Sequence, residues 1–252
     1  MDNRKNVRSI VGAKKNCETC PMFGRCFAHE ISDEDRAAIS RNMKRHQPLK
    51  RADRLFNAGE SAKTVTVLCS GAAKSYQLSA SGDEVISRFH LPGDVIGLDA
   101  ICDKLHPSFA TALEDGRTCE IPLKDFVATL QTSKQLNAIT LRIVSEELVA
   151  TRELMLLNTR VDSRTRVAIF LAGMSTRMGR LTNDPSRFDL LMGRQDIGGY
   201  LGLSTETVSR ALSCLQREGV ITASGRSIRI LNFQALEACA IPQSNTRSQA
   251  VG

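Results

Sequence analysis

The chain has 252 residues, 42% of them hydrophobic and 24% charged, and carries a formal net charge of +7. This length suits two domains, each with its own core, and no apolar run is long enough to span a bilayer. The first residues, 1–5, lead into no apolar stretch, so we expect no secretory signal, no membrane association and a cytoplasmic protein. The positive charge suits a polyanionic partner but does not identify one.

The cysteines are the first unusual feature in chain order. Eight are present, and because a reducing compartment disfavours a disulfide framework, unusual spacing among them indicates metal or redox chemistry. After a polar, basic segment at 1–16, which we expect to be a mobile tail, Cys17, Cys20 and Cys26 are separated by two and five residues. One loop with this spacing can place three thiolates around a metal centre.

Soft sulfur ligands favour zinc or an iron-sulfur species. A fourth ligand must come from elsewhere, and spacing neither excludes His29 nor chooses among the remaining cysteines: Cys69, Cys102, Cys119, Cys214 and Cys239. Structural zinc, held by four cysteines or by three and a histidine, remains an equal alternative on these residues alone.

The next segments predict a helix and then a set of strands. Ser32 is a good N-cap, followed by acidic first-turn residues, and predicts a short helix through about Arg45 that ends at a turn at Pro48. From Leu49 to about Pro122, short apolar or alternating runs are separated by glycine-containing turns. Strands at this spacing predict a small antiparallel barrel or roll.

A long helical stretch follows Ser133. Its apolar positions recur at alternating steps of three and four, the period of a coiled-coil seam; they are Leu141, Val144, Leu148, Thr151 and Met155. Such a helix could also pack on its own barrel, but the stripe is narrow and favours a dimer interface. Because Thr151 is polar and glutamates lie close by, we expect a marginal dimer.

The C-terminal part predicts a winged helix-turn-helix. Helical residues from Val161 to about Met178 are followed by a polar loop. Residues 194–204 then predict a short helix that ends at Gly202, with Ser204 as the N-cap of the following helix. Two short apolar runs around Gly225 predict a hairpin, the wing. Helix, tight turn and helix are typical of a DNA-binding motif.

In the second helix, Glu206, Ser209, Arg210 and Ser213 share the face opposite the apolar residues. Arg210 can donate two hydrogen bonds to guanine, Glu206 can accept one from cytosine, and Ser209 is adaptable. The alternative is a solvated helix in which Glu206 and Arg210 form a weak ion pair. The glycine turn and the hairpin favour DNA binding.

The cysteine loop and residues 206–210 (ETVSR) resemble the FNR branch, the fumarate and nitrate reduction regulators, of the CRP/FNR superfamily. The resemblance extends over nearly the whole chain, and its most specific further segments are 89–94 (FHLPGD), 106–110 (HPSFA), 119–122 (CEIP) and 196–203 (DIGGYLGL).

The resemblance implies that Cys119 is the fourth ligand of a 4Fe-4S cluster, which supports a dimer when oxygen is absent, and that the other cysteines are ordinary thiols. It places the recognition triplet on Glu206, Ser209 and Arg210 and implies a TTGAT-like half-site in an inverted repeat. Residues 97–113 lack the arginine of the cyclic-nucleotide branch, which disfavours cyclic AMP. The turn at 81–83 resembles the family's contact with RNA polymerase, or is only a hairpin turn.

The expected fold is therefore α+β: a β-roll of the cyclic-nucleotide-binding jelly-roll type, a long dimerisation helix and a winged helix-turn-helix. We place a cluster-binding loop at 1–30, the roll at 31–132, the dimer helix at 133–160, the DNA-binding domain at 161–234 and a tail at 235–252. The expected function is that of a homodimeric, oxygen-responsive transcription factor binding palindromic double-stranded DNA. Alternatives are zinc or a thiol-disulfide switch at the same cysteines and, less favoured because the four histidines form no pattern, a cysteine-dependent oxidoreductase.

Overall fold

The computed structural model describes residues 17–18 and 20–240, without the side chains of residues 158–160. The tail expected at 1–16 and residues 241–252 of the expected C-terminal tail lie outside the described residues. The described chain folds into a β-roll, a long helix and a winged helix-turn-helix, so the α+β prediction is confirmed.

The β-roll consists of two antiparallel four-stranded sheets, with strand orders β1-β8-β3-β6 and β2-β7-β4-β5. The strands are β1 (Lys44–Leu49), β2 (Arg54–Phe56), β3 (Thr64–Ser70), β4 (Ala73–Leu78), β5 (Glu84–His90), β6 (Val95–Ile96), β7 (Phe109–Ala112) and β8 (Gly116–Pro122). Phe56, Leu68 and Ile96 are buried together in its core. Burying such apolar side chains is the main force that holds two sheets together.

The segment before the roll is more compact than the sequence predicts. Two 3-10 turns, Phe23–Arg25 and Phe27–His29, precede helix α1 (Asp33–Ser40). The hydroxyl of Ser32 accepts a hydrogen bond from the amide of Asp35 at 3.1 Å, as expected of the N-cap. The prediction that this helix runs to about Arg45 is wrong, because the chain from Lys44 onward pairs with β8, and these ladder hydrogen bonds outweigh local helix propensity.

Two helices leave the roll at its C-terminal end, α2 (Leu123–Thr132) and α3 (Lys134–Arg160). Ser133 caps α3 by accepting from the amide of Leu136 at 3.0 Å, and it donates to a carboxylate oxygen of Asp35 at 2.5 Å. Leu136 is fully buried in the same core as Phe126. The first turns of α3 are therefore anchored on the roll and on the segment before it.

The C-terminal domain follows α3 directly. Its elements are α4 (Ser163–Thr182), β9 (Arg187–Asp189), α5 (Arg194–Leu201), α6 (Thr205–Arg217), β10 (Ile221–Ser224), β11 (Ser227–Ile230) and α7 (Phe233–Cys239). Strands β10 and β11 form the expected hairpin, and β9 pairs with β11. Helix α7 runs past residue 234, where the sequence predicts a tail.

The roll and the C-terminal domain also touch each other. Phe89 of β5 packs against Tyr200 of α5, with ring centroids 5.2 Å apart. Arg177 of α4 donates to a carboxylate oxygen of Asp94 at 2.6 Å, and Lys74 of β4 donates to Asp196 of α5 at 2.8 Å. The two domains thus share an apolar core and partly buried ion pairs. None of the helices in the described part of the chain is long and apolar enough to cross a membrane.

Candidate metal centre and nucleic-acid interface

Cys17, Cys20, Cys26 and Cys119 line one cavity, which we call the cysteine cavity, between the N-terminal loop and the roll. Most of its other lining side chains are apolar: Met22, Phe23, Phe27, Ala28, Met43, Val67, Leu68 and Ile121. Within residues 17–18 and 20–240, no three His, Cys, Asp or Glu side chains form a close metal-ligand group. The four sulfurs therefore surround a common space without being gathered at one point.

The N-terminal loop is held against the roll at two places. Phe27 is buried, and its ring meets that of Phe126 edge-on, with centroids 6.2 Å apart. Gly93 has a φ of +100°, and a Cβ built on it would lie 2.8 Å from the carbonyl oxygen of Arg25. The turn that contains Gly93 is therefore shaped to receive the loop that carries Cys26.

Three of the four thiols accept hydrogen bonds from the backbone. The amides of Met22, Ala28 and His46 are directed to the sulfurs of Cys20, Cys26 and Cys119, respectively. Burial nevertheless dominates for the loop thiols: it raises the pKa of Cys20 and raises that of Cys26 to about 12. Amides directed to cysteine sulfurs tune iron-sulfur sites.

Cys119 lies in a different environment. A hydrogen bond from the thiol of Cys69, together with the His46 amide and the charge of Arg45, lowers the pKa of Cys119 to about 7. His46 reaches it because the register of β1 shifts between Lys44 and Gln47, with His46 at a φ of +51°. Arg45 lines the cavity, and its buried Nε has no hydrogen-bond partner among the described residues.

Cys69 also belongs to this site, although spacing does not single it out and the resemblance implies only an ordinary thiol there. Its Sγ lies 3.4 Å from that of Cys119, and it lines the same cavity. The register of β3 against β8 shifts between Leu68 and Ser70, which places Cys69 at the irregularity. The signal in the sequence was its period of two with Val65 and Val67, which puts the three side chains on one face of a strand.

The face of α3 proposed for dimerisation is uncovered in the single chain. Leu141, Val144, Leu148 and Met155 are 64%, 45%, 50% and 66% exposed, and Thr151 is exposed as well. The alternative, that this stripe packs on the protein's own roll, is therefore wrong for these positions. Val149 and Leu156 are also exposed and widen the apolar face.

The helix-turn-helix has the tight turn that its sequence predicts. Gly202 ends α5 with a φ of +63°, and the hydroxyl of Ser204 caps α6 by accepting from the amide of Thr207 at 3.2 Å. A Cβ on Gly198 would lie 2.4 Å from the carbonyl oxygen of Leu203. Only glycine at 198 lets the turn approach α5 this closely.

Helix α6 buries one face and displays the other. Glu206, Arg210 and Ser213 are exposed, and Ser209 is half-buried. Arg210 donates to the hydroxyl of Thr207 at 3.3 Å rather than to Glu206. Arg194, which the sequence reasoning missed, donates to the hydroxyl of Ser209 at 3.0 Å and adds a cation to the edge of this face.

Comparison with known proteins agrees with this architecture. The family of cyclic nucleotide-binding domains matches residues 46–133, and that of Crp-like helix-turn-helix domains matches residues 165–239. The anaerobic regulatory protein of Haemophilus influenzae is 36% identical over 225 residues, which are 89% of this chain and 88% of that protein. The chain belongs to the FNR branch of the CRP/FNR family.

Other relatives of this regulator lead to the same family. The fumarate and nitrate reduction regulatory protein of Escherichia coli K12 is 34% identical over 89% of this chain and 90% of its own length. The structure of FixK2 from Bradyrhizobium japonicum has a TM-score of 0.72 at 32% identity and covers 80% of this chain and 99% of that one. The chain is thus a DNA-binding transcription regulator and not an enzyme, which sets the oxidoreductase alternative aside.

Proposed function

We propose that this regulator holds a 4Fe-4S cluster through Cys17, Cys20, Cys26 and Cys119 and, as a homodimer, binds a TTGAT-like inverted repeat while the cluster is intact. It would thereby control the genes of anaerobic or microaerobic growth in the cytoplasm. The observation that carries the proposal is that these four cysteines, from two distant parts of the chain, line one largely apolar cavity.

The donor set suits an iron-sulfur cluster. Thiolates are the usual ligands of such clusters, and hydrogen bonds to their sulfurs and the surrounding apolar shell set the reactivity of the centre. Four thiolates also bring negative charge into a cavity of low polarity, and the guanidinium of Arg45 is there to offset it. When bound, the cluster supplies the iron and sulfide that react with oxygen.

The residues after Cys26 connect the cavity to the dimer helix. Phe27 packs on Phe126 of α2, Glu30 forms an ion pair with Arg142 of α3, and Asp35 accepts from the cap residue of α3. A loop that is ordered around its ligands keeps these contacts, whereas a released loop loses them. Whether the cysteines hold the cluster thus biases the pairing of two α3 helices. This pairing is marginal in stability because the apolar seam contains the polar Thr151.

A paired α3 would present two recognition helices with the symmetry of an inverted repeat. Glu206 and Arg210 project from α6 and suit the two bases of one G·C pair, with Ser209 beside them. The turn at 81–83, which joins β4 to β5, is exposed. We assign it to contact with RNA polymerase.

Anaerobic purification tests the proposal. The protein should be brown and contain about four irons and four sulfides per chain, and exposure to air should remove the colour, the dimer seen by sedimentation and the operator binding together. Cys119→Ser should abolish iron binding. Cys102→Ser is the matched control, because Cys102 is exposed and outside the lining of the cavity.

Two results would contradict the proposal in different ways. A colourless protein that contains zinc would support a structural zinc site at the same cysteines. A protein whose operator binding is unchanged after all iron is removed would contradict oxygen sensing while leaving DNA binding intact.

A further inference from the structure

Cys69 and Cys119 form a close pair of thiols across β3 and β8. Their sulfurs are 3.4 Å apart, and the residues are 50 positions apart in the sequence. A disulfide requires a sulfur separation of about 2.05 Å, so the two sulfurs must come closer by roughly 1.3 Å for a bond to form. Both cysteines lie on paired strands of the roll and not on the N-terminal loop.

Cys69 is outside the set of four ligands. It follows that Cys69 remains a thiol while Cys119 is engaged as a ligand and becomes the nearest reaction partner of Cys119 when the ligand set is released. Cys69 is only 8% exposed, whereas Cys119 is half-buried. A small oxidant therefore meets Cys119 first, and the buried neighbour completes the reaction.

We propose that Cys69 and Cys119 form a reversible disulfide in the cluster-free regulator, and that this bond withholds Cys119 until it is reduced. The inference rests on the proposed function, because it takes Cys119 as a ligand. The oxidant we assign is a hydroperoxide, with hydrogen peroxide as the simplest.

The chemistry proceeds in two steps. The thiolate of Cys119 attacks one oxygen of hydrogen peroxide, which gives a sulfenic acid at Cys119 and hydroxide, and the hydroxide takes up a proton to become water. The thiol of Cys69 then attacks the sulfenic sulfur, forms the S–S bond and releases a second water. In total, two thiols lose two protons and two electrons, and one peroxide becomes two waters.

The consequence is that the effect of oxidation persists after the oxidant has gone. In a chain that has lost its cluster and reacted with peroxide, Cys119 is held in the disulfide with Cys69. Fresh iron and sulfide alone therefore cannot rebuild the site. Reassembly then depends on a dithiol reductant. The regulator would stay inactive after the oxygen is gone until thiol reduction is restored.

The test is a peptide map of the full-length, cluster-free, reduced chain after one equivalent of hydrogen peroxide and alkylation. Trypsin cuts after Lys63, Lys74, Arg117 and Lys124, so peptide 64–74 contains Cys69 alone and peptide 118–124 contains Cys119 alone. The expected product is these two peptides joined by a disulfide, absent in Cys69→Ser and retained in Cys102→Ser. Because the wild-type map needs no variant, the result stands even if Cys69→Ser folds poorly.

Other products would overturn the proposal. Peptide 16–25 carries Cys17 and Cys20, and peptide 26–36 carries Cys26; joining of either to peptide 118–124 as the main product, or no disulfide at all, contradicts it. Reconstitution with iron and sulfide is the second readout. Peroxide-treated wild-type chain should take up a cluster only after dithiothreitol, and untreated Cys69→Ser should take one up fully.

The same experiments separate this inference from the proposed function. If untreated Cys69→Ser folds but cannot assemble a cluster, Cys69 is a ligand and the disulfide proposal is wrong. If untreated wild-type chain takes up no iron, the cluster proposal is wrong, and the peptide map still decides whether the disulfide forms.

Discussion

Nη2 of Arg142 donates to both carboxylate oxygens of Glu30, at 2.7 and 2.9 Å. Glu30 lies shortly after Cys26, and Arg142 lies on α3 next to the exposed Leu141. One ion pair therefore connects the loop of cysteines to the face on which we expect the dimer to form.

Reversing one charge of this pair should weaken the dimer. We expect Glu30→Arg to raise the dimer dissociation constant about two- to fivefold, the range for a partly exposed ion pair, and the double variant Glu30→Arg with Arg142→Glu to restore most of the loss. Sedimentation under anaerobic conditions measures both. A double variant as weak as the single one would show that the pair does not act on dimerisation.

Gly93 should be required for seating of the cysteine loop. Alanine there places a Cβ 2.8 Å from the Arg25 carbonyl, whereas alanine at Gly82, with a φ of +87°, meets nothing within 4 Å. Both variants carry the left-handed strain of roughly 1–2 kcal/mol, which urea unfolding measures. Only Gly93→Ala should also lower the iron content of anaerobic protein, and equal iron in the two variants would contradict the role of this contact.

Arg210→Ala should relax the choice of sequence as well as weaken binding. A bidentate contact with guanine favours the correct base over a wrong one by about 1–3 kcal/mol. The variant should therefore lose affinity mainly for the matched operator. Arg217→Ala removes the same charge from the far end of α6 and serves as the control. Fluorescence titration with matched and mismatched operators measures this difference. Equal losses of affinity for both operators would exclude a base contact by Arg210.

His90 should make the fold sensitive to acid. Burial holds the pKa of His90 well below its usual range, and the charges of Arg88 and Arg177 act in the same direction. Below about pH 6.5 the unfolded chain binds a proton at this residue and the folded chain does not, so stability falls with falling pH, by up to about 1.4 kcal/mol per pH unit.

The variant His90→Gln tests this assignment. Glutamine can still bond the hydroxyl of Ser75, which lies 2.7 Å from Nε2 of His90, but it does not titrate. Urea unfolding of the cluster-free chain at pH 7.5 and 5.5 should show a smaller loss of stability in the variant. An identical loss would assign the acid sensitivity to other groups.

The elements that sequence reasoning located correctly are those with local signals. Gly202 and Ser204 mark the turn of the helix-turn-helix within three residues, and the apolar period of α3 is visible along a single helix. The end of α1 was misplaced because the pairing of Lys44 with Glu120 is a contact between distant segments, which no local pattern reveals.

The cysteines are a second case in which contacts between distant segments cannot be predicted from local patterns. Spacing groups Cys17, Cys20 and Cys26 but cannot choose a fourth sulfur, and only the family resemblance pointed to Cys119. No local pattern reveals the contact of Cys69 with Cys119, because it depends on the register of β3 against β8 and on an irregularity in that register. Such a shift follows from packing, not from the composition of either strand.

The turn at 92–94 contacts the cysteine loop and helix α4 through adjacent residues. Gly93 faces the carbonyl of Arg25, and Asp94 holds the guanidinium of Arg177 on α4. A displacement of the cysteine loop can thus reach the DNA-reading half of the same polypeptide without passing through the partner chain. We therefore expect a regulator whose two copies are permanently cross-linked along α3 to remain responsive, through the contact between Asp94 and Arg177.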